Sequence, residues 1–382
     1  MNVNNSQSDP LPGSRKHYHL LDGLRGVAAI MVVFYHIFES WSPSVEEQWC
    51  NHGYLAVDFF FVLSGFVIGY SYDRRWHKMK VGEFFKRRLI RLHPLVVLGT
   101  VLGVIGFAIT GRHMWDGEQV TWTWTLLAML ATFFLIPASP GSPLDVRGNG
   151  ELYSLNGPFW SLFCEYIGNI LYALWLRRLS TRALSWVVGI TGVAVAAYAI
   201  GNGSGHGHLG AGWTMADWSL PAGLLIMSFC FSMGLLLSRV FRPMKIKGAF
   251  WICSLIVVVV TAMPHLGGMD QPWINGIYET VCAVFVFPSL VWMAASGDTT
   301  DASSTRICQF LGDISYPLYA VHYPLMYILY TWVWNNSLTL EQAWPQATAV
   351  VLGSILLAWL SLRFYDIPIR RWLSNRFLHK AQ

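Results

Sequence analysis

Asp22, Arg25, His36 and Glu39 stand together inside one otherwise apolar run of the chain. On a helix turning about 100° per residue, Arg25 and His36 fall within ~20° of each other and ~16 Å apart along the axis. Glu39 lies near the same line and Asp22 one turn before Arg25, so the group forms a single polar stripe. Ionisable side chains in an apolar helix are costly and mark a water-filled path or a reactive site. An imidazole at such a place suits acid–base chemistry. The alternative is structural: an arginine reaching for headgroups and a histidine bonded to a neighbouring helix.

Two further runs carry similar groups. Ser161, Glu165 and Asn169 recur every four residues and share one helical face. Interhelical hydrogen bonding explains the serine and asparagine well and the glutamate poorly. The run 310–334 holds Asp313, Ser315, Tyr316, Tyr319 and His322. Counting helical rise, His36 and His322 each lie ~18 Å from one membrane face and Glu165 ~10 Å from the other. That reckoning puts both imidazoles and the carboxylate at one level, as an acid–base cluster. At the opposite end, Arg88 and Arg91 stand one turn apart ahead of Pro94, on the side where Arg25 begins its helix. Guanidinium groups gathered there fit phosphate, which arginine grips bidentately. For most basic residues of 73–92 the plainer role is that of a topological anchor.

These residues need elements to hold them, and composition says which kind. The chain has 382 residues, 54% hydrophobic and only 12% charged, with a mean hydropathy of +0.42. Soluble domains carry roughly a quarter charged residues, so a soluble enzyme, a disordered chain and a disulfide scaffold are excluded. The 19 Trp, 16 Tyr and 22 Phe suit a polytopic membrane protein with aromatic interfaces. A net charge of +5 does not signal nucleic acid, because the charges sit in short connections between apolar runs. The six cysteines are scattered through apolar runs without Cys-x-x-Cys spacing and read as small buried hydrophobes. His206 and His208 lie in a Gly-rich stretch, 201–212, that reads as a flexible outer loop, so no metal site is expected. The first 19 residues lack a signal-peptide pattern.

Apolar runs at 22–41, 53–72, 93–111, 122–137, 158–176, 184–201, 219–238, 249–265, 275–296, 310–334 and 345–365 predict an all-α polytopic membrane protein. Lysines and arginines of 73–92, 177–183, 239–248 and the C-terminal end mark cytoplasmic segments. Between the first two of these segments the crossings must be even in number, yet three runs lie there. The shortest, 122–137, is therefore expected to be re-entrant or interfacial. This leaves ten transmembrane helices with both termini cytoplasmic, and only Arg112 and Arg147 of the 26 Lys and Arg outside. The expected organisation is a cytoplasmic tail at 1–19, a membrane domain at 20–372 and a second cytoplasmic tail at 373–382.

Taken in order, the motifs resemble the acyltransferase 3 family of bacterial membrane proteins. Leu21-Asp22-Gly23-Leu24-Arg25-Gly26 with Tyr35-His36 is similar to that family's Arg-x10-His signature. Val57-Asp58-Phe59-Phe60-Phe61-Val62-Leu63-Ser64-Gly65-Phe66 follows, then Arg88 and Arg91 before Pro94. Trp160-Ser161-Leu162 with Glu165, Ile314-Ser315-Tyr316-Pro317-Leu318-Tyr319 with His322, and Asp366-Ile367-Pro368 complete the set. Asp366 stands where the family often has Glu. The ordered motifs extend from residue 18 to about 372, and the chain resembles the stand-alone form, without a C-terminal hydrolase-like domain.

The resemblance implies a membrane O-acyltransferase in the bacterial inner membrane. It would move an acyl group, usually acetyl, from cytoplasmic acyl-CoA to a hydroxyl of a cell-surface carbohydrate, glycolipid or secondary metabolite. On this reading Arg25, Arg88 and Arg91 bind the phosphates of the donor, and His36 is general base or transient acyl carrier. Glu165 or Asp58 orients that imidazole, while His322, Ser64, Ser161 and Tyr316 supply oxyanion donors or acceptor contacts. The rival reading is a proton-coupled transporter or exporter using the same His and Glu. It predicts inverted repeats or paired broken helices, and the sequence contains neither.

Overall fold

A computed structural model describes residues 18–44, 46–297 and 302–378. Every regular element among them is helical: α1 (His19–Glu39), α2 (Leu55–Tyr72), α3 (Val81–Ile109), α4 (Trp122–Phe133), α5 (Phe159–Leu174), α6 (Thr181–Ile200), α7 (Ser219–Val240), α8 (Ala249–Ala262), α9 (Pro272–Val281), α10 (Phe287–Ser296), α11 (Ala302–Asn335), α12 (Leu340–Ser361) and α13 (Ile367–Phe377). Each apolar run of the sequence has become helix, as a lipid environment requires, since helices satisfy their own backbone hydrogen bonds. Two π-turns, Cys282–Val286 and Leu362–Asp366, join α9 to α10 and α12 to α13 without a break.

Among the described residues, 7 helices are long and apolar enough to cross a membrane by length and composition. The chain is therefore a polytopic membrane protein. The ten runs read as crossings exceed this by α5, α8 and α11. At 16 and 14 residues, α5 and α8 rise only about 24 and 21 Å. The length of α11 is ample, but Asp313, His322 and its many tyrosines dilute its apolar character. Over 12 residues α4 rises about 18 Å. Of the tails assigned to 1–19 and 373–382, residues 1–17 and 379–382 lie outside the described residues; His19 opens α1 and α13 continues to Phe377.

The helices sort by what they face. α1, α2, α3, α7 and α11 form the interior, with α1 packed along α11 and α2 along α7. Around them α6, α8 and α12 turn Trp186, Ile190, Val193, Leu255, Leu352 and Leu356 outward, an apolar belt that suits lipid. The α1–α11 crossing is close because glycines meet there: a Cβ on Gly26 would strike the Leu311 backbone, and one on Gly312 would strike Asp22. Small residues at such crossings let backbones approach and polar side chains bond across them. Arg25 does so, its Nη2 donating to the Gly312 carbonyl at 3.0 Å. Five of the cysteines are buried and Cys50 is half-buried.

Candidate active site

Two chambers lie between the interior helices. One, of about 560 Å³, is lined by His36 and Glu39 from α1, Asp58 from α2, Tyr319 and Tyr323 from α11, and Glu151. Residues from Ser204 to Ser219, including His206 and His208, close over it, tied to the segment before α5 by the Glu151–Thr214 backbone bridge. The other chamber, of about 350 Å³, is lined by Arg25, Arg88 and Arg91 together with Ser64, Ser161, Glu165, Tyr316 and Asp366.

In the histidine chamber, His36 Nδ1 lies 2.7 Å from Glu39 Oε2, one turn along α1. A carboxylate only accepts, so Nδ1 carries the proton, and in the neutral ring the lone pair is then on Nε2. Glu39 is itself fixed by the Tyr330 hydroxyl, which donates to Oε2 at 2.8 Å. Carboxylate, imidazole and an available Nε2 make a base of the kind that activates hydroxyl groups. The His322 ring stands 5.5 Å from that of His36 and is fully buried. Its Nδ1 donates to the carbonyls of Leu318 and Tyr319 at 3.0 Å, and its Nε2 has no protein partner.

A second carboxylate supports the far wall. Glu151 accepts from the hydroxyls of Tyr323, at 3.1 Å, and Tyr327. The Tyr323 ring packs edge-on against His36 at 4.7 Å. Arg147, 1% exposed, lays its guanidinium over the Tyr327 ring at 3.6 Å. Burial raises the pKa of Glu151 above the usual carboxylate range. Glu39 was read as part of the polar stripe but not as the partner of His36, and Glu151 and Arg147 were not among the sequence candidates for the site. The i, i+3 spacing of His36 and Glu39 could have pointed to that pairing. Nothing local marks Glu151, whose partners lie on α11.

In the arginine chamber, Arg88 Nη2 donates to Glu165 Oε1 at 2.5 Å, and Ser64 Oγ donates to the same oxygen at 3.1 Å. Arg25 Nε donates to Ser315 Oγ at 2.7 Å, and its Nη2 lies 3.3 Å from Asp22. Tyr316 donates to the Leu92 carbonyl at 2.6 Å. The π-turn ending at Asp366 turns that residue inward, leaving it 2% exposed and 3.1 Å from Arg370 Nε.

The structure thus brings Arg25, Arg88 and Arg91 together, and His36 with His322, but it separates Glu165 from the histidines. Helical rise puts Glu165 level with the histidines only if α5 begins at the membrane surface. Residues 152–159 are instead buried, and the Pro158 carbonyl accepts from Tyr319 halfway along α11. Glu165 therefore lies about 10 Å deeper, two turns below that level. Glu39 takes the place beside His36 that was expected of Glu165 or Asp58. Asp58 lines the histidine chamber, 7% exposed. Ser64, Ser161 and Tyr316 line the arginine chamber, not the histidine one. Arg25 and Arg88, expected to be available to phosphate, are engaged by the protein. Next to them an acid-free cleft of about 360 Å³ is lined by Arg87, Arg91, Arg370 and Arg371. Among the described residues, no group of three or more His, Cys, Asp and Glu could hold a metal ion.

A family model described as an acyltransferase domain matches residues 18–363, with all of these motifs up to His322 inside it. The chain belongs to the acyltransferase 3 family. It is accordingly an acyltransferase, and its intramembrane His and Glu belong to an enzyme. Among relatives of this acyltransferase, protein 2 in the picA locus of Rhizobium radiobacter is 32% identical over 204 residues, which is 50% of this chain and 96% of that protein. The O-acetyltransferase OatA of Staphylococcus aureus is 25% identical over 367 residues, 92% of this chain but 57% of OatA. The acyltransferase MdmB of Streptomyces mycarofaciens is 24% identical over 364 residues, 88% of this chain and 86% of MdmB. No solved structure matches the acyltransferase chain.

Proposed function

We propose that the protein is an O-acetyltransferase of a bacterial inner membrane, taking the acyl group from cytoplasmic acetyl-CoA. Ten crossings by the 20–372 domain, with α4 re-entrant or interfacial and both termini cytoplasmic, put the arginine chamber on the cytoplasmic side. The observation that carries the reading is the Glu39–His36 couple, whose imidazole faces one chamber while a second, arginine-lined chamber abuts it. In the acid-free cleft Arg87 pairs with Glu83 and Arg370 with Asp366, which leaves Arg91 and Arg371 to hold the phosphates of the donor, as anions favour guanidinium without a carboxylate partner. The donor's arm then lies in the arginine chamber, and its thioester reaches His36.

The acceptor is a hydroxyl of a cell-surface carbohydrate, glycolipid or secondary metabolite. The name of OatA, an O-acetyltransferase, supports transfer to an oxygen. His36 Nε2 takes the hydroxyl proton as the oxygen bonds to the acyl carbonyl carbon. The C–S bond breaks, and the departing thiolate takes up that proton from the imidazolium. Glu39 stabilises the imidazolium in between.

Labelled acetyl transfer from acetyl-CoA in proteoliposomes tests the reading. His36→Ala is expected to abolish transfer and leave coenzyme A binding intact. Retained turnover in His36→Ala removes this imidazole from the chemistry.

A further inference from the structure

Val57 of α2 and Tyr319 of α11 line both chambers, and among the described residues no other side chain does. Tyr319 is firmly held: its hydroxyl lies 2.6 Å from Ser161 Oγ and donates to the Pro158 carbonyl at 2.9 Å. Phe60 packs edge-on against its ring at 6.0 Å. Val57 and Tyr319 are each 6% exposed, so the wall they form between the chambers is closely packed.

We infer that Val57 and Tyr319 form a slot that selects the acyl group by cross-section and not by length. The inference rests on the donor and acceptor sides proposed above. With the thioester at His36, the unbranched cysteamine end of the donor's arm occupies the slot, so the opening already accepts a linear chain. Lengthening the acyl group adds atoms beyond the slot, in the chamber of about 560 Å³. A methyl on the α-carbon instead widens the part that must pass. Extra width requires Tyr319 to give up its hydrogen bonds to Ser161 and Pro158, or Val57 to give way in a packed core.

The n-butyryl and isobutyryl thioesters of coenzyme A have equal carbon counts, and the branched isomer is the shorter and wider of the two, so selection by length alone would not reject it. Wild-type protein in proteoliposomes is expected to prefer the n-butyryl donor by about tenfold or more in kcat/KM, the scale of a single misplaced methyl. Val57→Ala, which enlarges the slot, is expected to lower that ratio by about fivefold or more. Ser161→Ala, which releases the Tyr319 hydroxyl, lowers it in the same direction. Equal use of the two isomers by the wild type overturns the inference without any variant having to fold. So does a ratio unmoved in both variants. Transfer from acetyl-CoA is the control: with it present, indifference to branching sinks the slot alone, and its absence sinks the donor reading.

Discussion

Glu39 and His36 form a carboxylate–imidazole couple within a single helix, closed at 2.7 Å and held from α11 by Tyr330. Because the partners are three residues apart, the ring's orientation is set by local helix geometry, and α11 only locks it. Glu39 acts through His36 as a positioning residue. Glu39→Gln is expected to lower kcat about a hundredfold or more, since the amide no longer fixes the tautomer or stabilises the imidazolium. KM for the donor is expected to stay near its wild-type value. The pH–rate profile distinguishes this from general damage: its lower limb shifts in Glu39→Gln and returns in Glu39→Asp. An unchanged profile would show that another group orients His36.

Arg88 and Glu165 form a pair of another kind, joining α3 to α5 with Arg88 5% exposed. Removing one partner strands the other charge out of water, which costs about 3–5 kcal/mol, whereas replacing both by apolar residues of similar size is far milder. Glu165→Leu is expected to lower the thermal midpoint sharply, and Arg88→Met with Glu165→Leu to recover most of it. Neither change is expected to alter the pH–rate profile set by His36. A shift there in Glu165→Leu would return Glu165 to the catalytic group.

The contrast between these pairs tracks what the sequence exposes. The stripe on α1, Glu39 included, was legible because helical periodicity is local, though the hydrogen bond from His36 to Glu39 was not read from it. The gathering of Arg25, Arg88 and Arg91 followed from charge placement along the chain. Glu165 was misplaced because the depth of α5 depends on the buried segment 152–159 before it, whose polar groups bond to other elements. Asn156, for instance, donates to the Ala320 carbonyl at 2.9 Å. No spacing rule reports such a contact, 164 residues apart. Glu151 was invisible for the same reason. The charge pattern showed where arginines collect, but not that Arg25 and Arg88 are already engaged while Arg91 and Arg371 border an acid-free cleft.

The glycine contact between α1 and α11 bears on the site because it sets where Arg25 meets Gly312. Gly26→Ala is expected to push the helices apart and to destabilise the protein by about 1–3 kcal/mol, as overpacking does. It is also expected to weaken transfer, since His36 and His322 ride on these same helices. Gly189→Ala on α6 is the comparison. A Cβ there meets nothing within 4 Å, so the change is expected to be neutral or to stabilise by about 0.5–1 kcal/mol through helix propensity. Thermal midpoints of the purified variants decide. Equal behaviour of the two would mean that the α1–α11 crossing has room to spare.

His208, in the segment that closes over the histidine chamber, gives the protein a defined acid sensitivity. Burial pushes its imidazole down to about 4 from an ordinary 6.5, with His206, His265 and His52 pressing the same way and Glu46 opposing. The native ring stays neutral where the unfolded chain has already taken up a proton. Between about 6.5 and 4 the unfolded state therefore binds more protons, and stability falls as the pH drops through that window. Above it the contribution of the neutral ring is complete. Thermal midpoints measured from pH 7.5 downward, a range chosen as about one unit above the ordinary histidine value, are expected to fall more steeply for the wild type than for His208→Gln. His206, His265, His52 and Glu46 are common to both proteins, so the difference in slope isolates His208. Parallel curves would assign the acid sensitivity to another group.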